Sequence, residues 1–219
     1  MDILLVRPDI GEIIEDYKLN DGCMEPLALG VLAGLTPDHH AVRLLDDRMG
    51  EVTGRETADV VAITVETYTA RRAYELADTY RAAGLRVVLG GVHVTLLPDE
   101  AQEHADALLL GDAETVWSGL LDDLENDCLG PRYQGDFTCP QNGTFPDRSL
   151  FRDHGYLPIS QIQFSRGCPF HCAHYSVSRV FGHAHTFRPV DEIVDSLEMA
   201  SVKALNAIAT SSKRQMPTS

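Results

Sequence analysis

No stretch of this chain approaches the roughly 20 apolar residues that a helix needs to cross a bilayer. The amino terminus, MDILLVRPDIGE, offers an apolar run of only four residues, Ile3 to Val6. It lacks a basic leader and a small-residue cleavage site, so the expected location is the cytoplasm. Basic charge is scarce: 18 Lys and Arg face 33 Asp and Glu, a formal net charge of −15. Nucleic acids and anionic membranes attract basic surfaces, so neither is an expected partner. The acidity itself reads as a solvated surface. Cysteine is sparse and odd in number, five in all, which favours thiols or metal ligation over a disulfide framework. No P-loop, no G-x-S-x-G elbow and no H-E-x-x-H pair occurs. Nucleotide cradling by a Walker loop, an α/β-hydrolase nucleophile and a zincin site are therefore excluded.

What remains is a chain of 219 residues with 44% hydrophobic content, enough for a proper core. The first part alternates short apolar runs with helical patterns, the signature of an α/β domain with a parallel sheet. Five strands are predicted: Asp2–Arg7, Ala41–Asp46, Asp59–Val65, Arg86–Gly91 and Ala105–Leu110. Their near-continuous apolar character suits strands covered on both faces. Helices are predicted over EPLALGVLAGL, with Pro26 at its start, over TYTARRAYELADTYRAAG, after Pro98, and from Ala113 to about Asn126. Gly30 and Gly34 read as close-packing positions, because they do not directly follow a strand. The adjacent His39 and His40 read as a surface loop.

Residues 127–158 are dense in Gly, Pro and Asp and read as a linker. Its Cys128 and Cys139 are not expected to be ligands. Ile159–Ser165 then reads as one strand, and RPVDEIVDSLEMASVKAL as a helix burying Val190, Ile193, Val194 and Leu197. The resulting division is a domain at 1–126, a linker at 127–158, a strand–loop–helix segment at 159–205 and a disordered tail at 206–219. One strand and one helix cannot bury a core alone. The segment is therefore expected to pack on the first domain, find a partner chain or remain loose.

Between strand and helix lies SRGCPFHCAHYSV, with cysteines at 168 and 172 and a tyrosine at 175. A third cysteine at 175 would complete a C-x₃-C-x₂-C iron–sulfur motif. His171 and His174 flank the gap, and two Cys with two His have the composition of a zinc site.

Four pieces in order, EPLALGVLAGL, TVETYTARRAYELAD, VVLGGVHVTLLPDEAQEHADALLLGDAE and YLPISQIQFSRGCPFHCAHYSVSRVFGHAHTFRPVDEIVDSLE, resemble the cobalamin-binding radical S-adenosylmethionine (SAM) proteins. The resemblance covers roughly residues 2 to 202. It implies a Rossmann-like, flavodoxin-like doubly wound five-stranded sheet that binds cobalamin. A linker and a truncated start of a TIM-type barrel, the partial strand–loop–helix, would follow. In that family three thiolates hold a [4Fe–4S] cluster, whose open iron chelates SAM. Cys168 and Cys172 match the first two ligands; Tyr175 departs at the third, which reads as a lost ligand.

The resemblance places a corrinoid beyond the carboxyl ends of the strands. Candidate contacts are Thr64, Glu66, Thr67 and Thr69 after the third strand, Gly90, Gly91 and His93 after the fourth, and Gly111 and Glu114 after the fifth. The chain has no D-x-H-x-x-G motif, and DDRMGE after the second strand contains no histidine. Cobalamin is therefore expected to bind without a protein histidine below the cobalt. The expectation is a corrinoid-binding protein that does not catalyse alone. Two rivals are an iron–sulfur/SAM enzyme with an atypical cluster completed by a partner chain, and a cofactor-free flavodoxin-like interaction module.

Overall fold

Ile3, Leu4, Leu5 and Val6 are all fully buried, so strand β1 (Asp2–Arg7) is covered on both faces. A strand in that position needs a neighbour on each side and a helical layer above and below. The computed structural model supplies both, and describes residues 1–10, 23–136, 144–170, 172, 180–181 and 185–200. In chain order β1 is followed by α1 (Leu27–Leu35), β2 (Ala41–Asp46), β3 (Val60–Thr64), α2 (Ala70–Ala82) and β4 (Arg86–Gly90). Next come α3 (Val92–Leu96), α4 (Pro98–Gln102), β5 (Ala107–Leu110), α5 (Trp117–Glu125) and β6 (Arg132–Gln134). The sheet order is β2-β1-β3-β4-β5-β6, with every pairing parallel.

Alternate side chains of the strands feed two cores. Leu4, Val6, Val61, Ile63 and Leu89 pack with the α2 residues Ala70, Ala73, Tyr74, Ala77 and Tyr80. Ile3, Leu5, Val60, Ala62 and Val88 pack with Leu29 and Ala33 of α1 and Trp117, Leu120 and Leu121 of α5. The predicted strands and the α2 face are therefore present, as is the doubly wound plan. The helix predicted from Ala113 opens with a 3₁₀ turn, Ala113–Thr115, before α5 begins. Helix α3 was not legible in the sequence, because VHVTL reads as a strand continuation.

The sheet has six strands where the sequence predicts five. Arg132–Gln134 lies inside the stretch read as linker and is too short to carry a periodic signal. The same stretch returns to the first core. A Cβ at Gly34 would lie 2.1 Å from the carbonyl oxygen of Phe145, and one at Gly30 would lie 2.6 Å from Phe151. The two glycines are close-packing positions, and they seat Phe145 to Phe151 against α1; Phe151 is buried.

Beyond residue 158 the structure departs further from the sequence reading. Ile159 to Phe164 form no strand; β7 spans only Ser165–Gly167 and pairs antiparallel with β8 (His185–Phe187). Ile159 and Phe164 are exposed, so no neighbouring strand or layer holds that run extended. Residues 190–200 are helical, but the face expected to be buried is turned outward. Val190 is 75% exposed, Val194 and Leu197 are also exposed, and Ser196 and Ala200 are buried instead. Beyond residue 158 the described residues thus form a short hairpin and a helix whose apolar face no described residue covers. The tail at 206–219 lies outside the described residues.

Two polar contacts, one buried and one half-buried, tie this fold together. The indole Nε1 of Trp117 donates to Thr36 Oγ1 at 2.9 Å, and that hydroxyl donates to Leu32 O at 2.7 Å. Thr36→Val leaves the indole N–H buried without an acceptor, which costs about 1–3 kcal/mol. Urea unfolding followed through the single tryptophan should show that loss. Glu56 accepts from the Tyr80 hydroxyl at 2.6 Å and from the amide and hydroxyl of Thr53. Burial alone would raise its pKa, but these hydrogen bonds outweigh it and hold the carboxyl at about 2, below its ordinary 4.5. A depressed carboxylate contributes stability above its unfolded pKa and loses it as pH falls through the folded value. Between about pH 4.5 and 2 the protein should therefore lose about 1 kcal/mol from this group, after solvent screening. Glu56→Gln should flatten that part of an acid-unfolding profile.

Candidate functional site

A parallel sheet with β2 on one side of β1 and β3 on the other has its winding reversed between β1 and β3. In such sheets ligands bind beyond the carboxyl ends of the strands, next to this point. Four large apolar side chains in the turns around this point stand exposed: Ile10 after β1, Met24 before α1, Met49 after β2 and Tyr68 after β3. Arg7, the last residue of β1, donates to the Tyr68 hydroxyl at 2.8 Å, and its guanidinium carbon lies 5.9 Å from the ring centroid. Arg48 donates to Met24 O at 3.1 Å, which brings the Met24 segment to the end of β2. None of these residues was singled out from the sequence. The available signal was apolar side chains in turns otherwise made of Asp, Glu and Gly.

The predicted hydroxyl-rich turn after β3 is largely occupied by its own structure. Thr69 is buried, and its Oγ1 accepts from Glu66 N at 3.1 Å in a reciprocal cap with Glu66. Thr67 is exposed and Thr64 half-buried, so these two remain accessible. At the end of β4, Gly91 has φ +110°, a conformation that favours glycine. A Cβ there would lie 2.8 Å from Val65 O, and one on Gly90 would lie 3.3 Å from Leu109 Cβ. Internal packing therefore accounts for both glycines.

His93 is buried, with Nδ1 3.4 Å from Thr67 Oγ1 and Nε2 3.2 Å from Glu100 Oε1. Both ring nitrogens thus face groups of the chain itself, and the hydrogen bond from His93 lowers the pKa of Glu100. Its role in the structure is to brace the β3 turn against α4.

After β5, Gly111 takes φ +76° and its amide donates to Thr95 Oγ1 at 3.0 Å. Asp112 and Glu114 then both meet Arg166, from the strand that leads into the cysteine loop. Arg166 Nη2 donates to Glu114, and Nη1 stands 2.7 Å from Asp112 Oδ2. The Asp112 contact is an ion pair whose angle lies outside that of a hydrogen bond. Burial raises the Asp112 pKa, Arg166 opposes the rise, and the Glu114 charge adds to it. Glu114, predicted to face a ligand, is thus engaged by the cysteine segment. A second buried pair, Arg148 with Glu25 at 2.9 Å, is joined by Gln161, which donates to Glu25 O and accepts from Arg148. Tyr156 donates to Asp46 at the end of β2, where Arg48 donates as well.

Cys168 is half-buried and Cys172 exposed, and no disulfide joins the described cysteines. His171, His174, Tyr175 and Cys139 lie outside the described residues. Arg166 is the cation through which the loop's strand meets the sheet. Arg166→Met leaves Asp112 and Glu114 buried without their partner, at a cost of about 3 kcal/mol. Hydrogen exchange should rise first in peptides spanning 160–170; unchanged protection there would mean that the segment is held by other contacts.

The fold and this edge define a doubly wound α/β ligand-binding domain. Residues 21–121 match the B12 binding domain family. The chain is 36% identical over 172 residues to the bacteriochlorophyllide d C-8(2)-methyltransferase of Chlorobaculum tepidum, covering 70% of this chain and 37% of that protein. It is 33% identical over 179 residues to the bacteriochlorophyllide d C-12(1)-methyltransferase of the same organism, covering 78% and 39%. It is 28% identical over 211 residues to the hopanoid C-2 methylase of Rhodopseudomonas palustris, covering 90% and 40%. The chain therefore spans about two fifths of the length of these curated relatives. These matches bear out the resemblance to the cobalamin-binding radical SAM family, and residues 21–121 carry a B12 binding domain.

Proposed function

We propose that this chain holds a corrinoid at the carboxyl edge of its sheet, without a protein histidine below the cobalt, as the cofactor-carrying part of a methyl-transfer system. The observation that carries this reading is the B12 binding domain match over residues 21–121, coinciding with a sheet whose winding reverses between β1 and β3. The residues present suit such a group. A corrin is broad and flat, and the exposed Ile10, Met24, Met49 and Tyr68 offer apolar surface around the point where the winding reverses. The accessible hydroxyls of Thr64 and Thr67 offer hydrogen bonds to peripheral amides.

When bound, the corrinoid supplies a cobalt centre that can carry a methyl group. The chain's own work is to orient that group and to keep water from one side of it. Absence of a lower histidine is supported by two features. DDRMGE after β2 contains none, and His93 is turned toward Thr67 and Glu100. Methyl transfer as the wider chemistry is supported by the named activities of the relatives. Two thiolates, Cys168 and Cys172, are fewer than the three that hold a SAM-binding [4Fe–4S] cluster. No SAM cleavage is therefore assigned to this chain, and the exposed faces of Val190, Val194 and Leu197 suit further protein that would complete a barrel.

The test is incubation with hydroxocobalamin, desalting and a visible spectrum. One corrinoid retained per chain is expected; none retained would refute the proposal. After reduction to Co(II), electron paramagnetic resonance of ¹⁵N-labelled protein should show no splitting from a protein nitrogen; its presence would overturn the histidine-free reading. Tyr68→Ala and Met49→Glu, both at exposed positions, should each weaken retention by about tenfold without lowering the thermal midpoint.

A further inference from the structure

At the opposite, amino-terminal edge of the sheet, three side chains converge that have no part in the corrinoid reading. His39 and His40 precede β2, and Glu125 is the last residue of α5. His39 Nε2 lies 3.3 Å from Glu125 Oε1, and His40 Nε2 lies 3.7 Å from the same oxygen. One ligand atom from each residue fits within 4.8 Å of the other two. The imidazoles face one another, with ring centroids 4.0 Å apart. His40 is buried, and its Nδ1 stands 3.1 Å from the amino group of Met1, which orients the ring so that Nε2 meets Glu125. His39 and Glu125 stay open to solvent, so the cluster has an entry path.

We propose that His39, His40 and Glu125 form a binding site for a divalent transition-metal cation of the zinc type, with water completing its coordination. Zinc takes nitrogen ligands at about 2.0–2.1 Å and carboxylate oxygen at about 2.0–2.2 Å, so tetrahedral ligand atoms lie about 3.3–3.5 Å apart. The two His–Glu separations, 3.3 and 3.7 Å, fall at or just outside that edge length. The ligand nitrogens of the two imidazoles lie within 4.8 Å of each other, so closing the site takes an inward rotation of the exposed His39 ring. Two imidazoles and one carboxylate suit a borderline cation better than calcium or magnesium, which favour all-oxygen sites. Adjacent residues rarely share one metal, but His40 is fixed in the fold while His39 is free to swing toward it. The net charge of −15 favours cation capture in general. A cation here bridges the start of β2, an edge strand, to the end of α5, and so staples the sheet margin to its helical layer.

The test uses the untagged, chelator-treated 219-residue protein titrated with Zn²⁺, with Co²⁺ as a spectroscopic substitute. One zinc per chain at micromolar concentration is expected, together with a rise in thermal midpoint. Bound Co²⁺ should show d–d bands without a thiolate charge-transfer band. His39→Gln and Glu125→Gln, at solvent-open positions, should each weaken binding on the order of 100-fold and abolish the thermal shift. Cys168→Ser/Cys172→Ser should leave both intact. Zinc lost only in the double cysteine variant, zinc held equally by His39→Gln and Glu125→Gln, or no zinc at micromolar concentration would each overturn the proposal. Corrinoid retention, read separately, is unaffected by any of these outcomes.

Discussion

A parallel strand buried on both faces cannot stand alone, and β1 imposes that constraint on everything around it. Ile3 and Leu5 demand one helical layer, Leu4 and Val6 another. The chain meets both demands by winding first to one side of β1 and then to the other. The reversal that results falls between β1 and β3, and in doubly wound sheets such a point is where ligands bind. The switch point is thus a consequence of covering a four-residue apolar run from both sides.

Attachment of the cysteine segment rests on a different kind of force. Apolar burial contributes little there, since Phe164, Phe170 and Phe187 are all exposed. Buried arginines do the joining instead. Arg166 reaches Asp112 and Glu114, Arg148 reaches Glu25, and Arg188 donates to Thr144 O while pairing with Glu192. Arginine suits this role because its planar fork can satisfy two acceptors at once and its charge persists when it is buried. Such joints are directional: they set where a segment sits, but their desolvation cost offsets much of their attraction. Segments held this way keep a defined position over the sheet without becoming part of its core.

The fold was legible wherever a physical period was long enough to be seen. Four consecutive apolar residues in β1 and small residues at helical spacing in α2 each encode burial directly. Arg132–Gln134 did not, since three residues cannot show alternation and the surrounding Gly and Pro read as a linker. The helix at 190–200 misled for the opposite reason. Its amphipathic pattern is real, but a pattern shows only that a face is apolar, and not that the described residues cover it. Glu125 is a further case: nothing in the sequence brings residue 125 to residues 39 and 40, because their meeting depends on the sheet being wound.

Candidate ligand contacts were harder to read than strands, and the reason lies in competition for polar groups. Thr69, Glu66 and His93 have the chemistry to bind a ligand, and the same chemistry lets them cap a turn or brace a helix. In the folded chain the internal partners are nearer and already oriented, so they take these groups. Gly91 follows the same logic, since the backbone of Val65 fills the space that a missing Cβ leaves. Side chains without an internal use stay at the surface, and at this edge those are mainly apolar: Ile10, Met24, Met49 and Tyr68. A site built from what folding leaves over recognises a ligand by shape and apolar area more than by a fixed polar bond. Such recognition suits the broad, flat macrocycle of the proposed function.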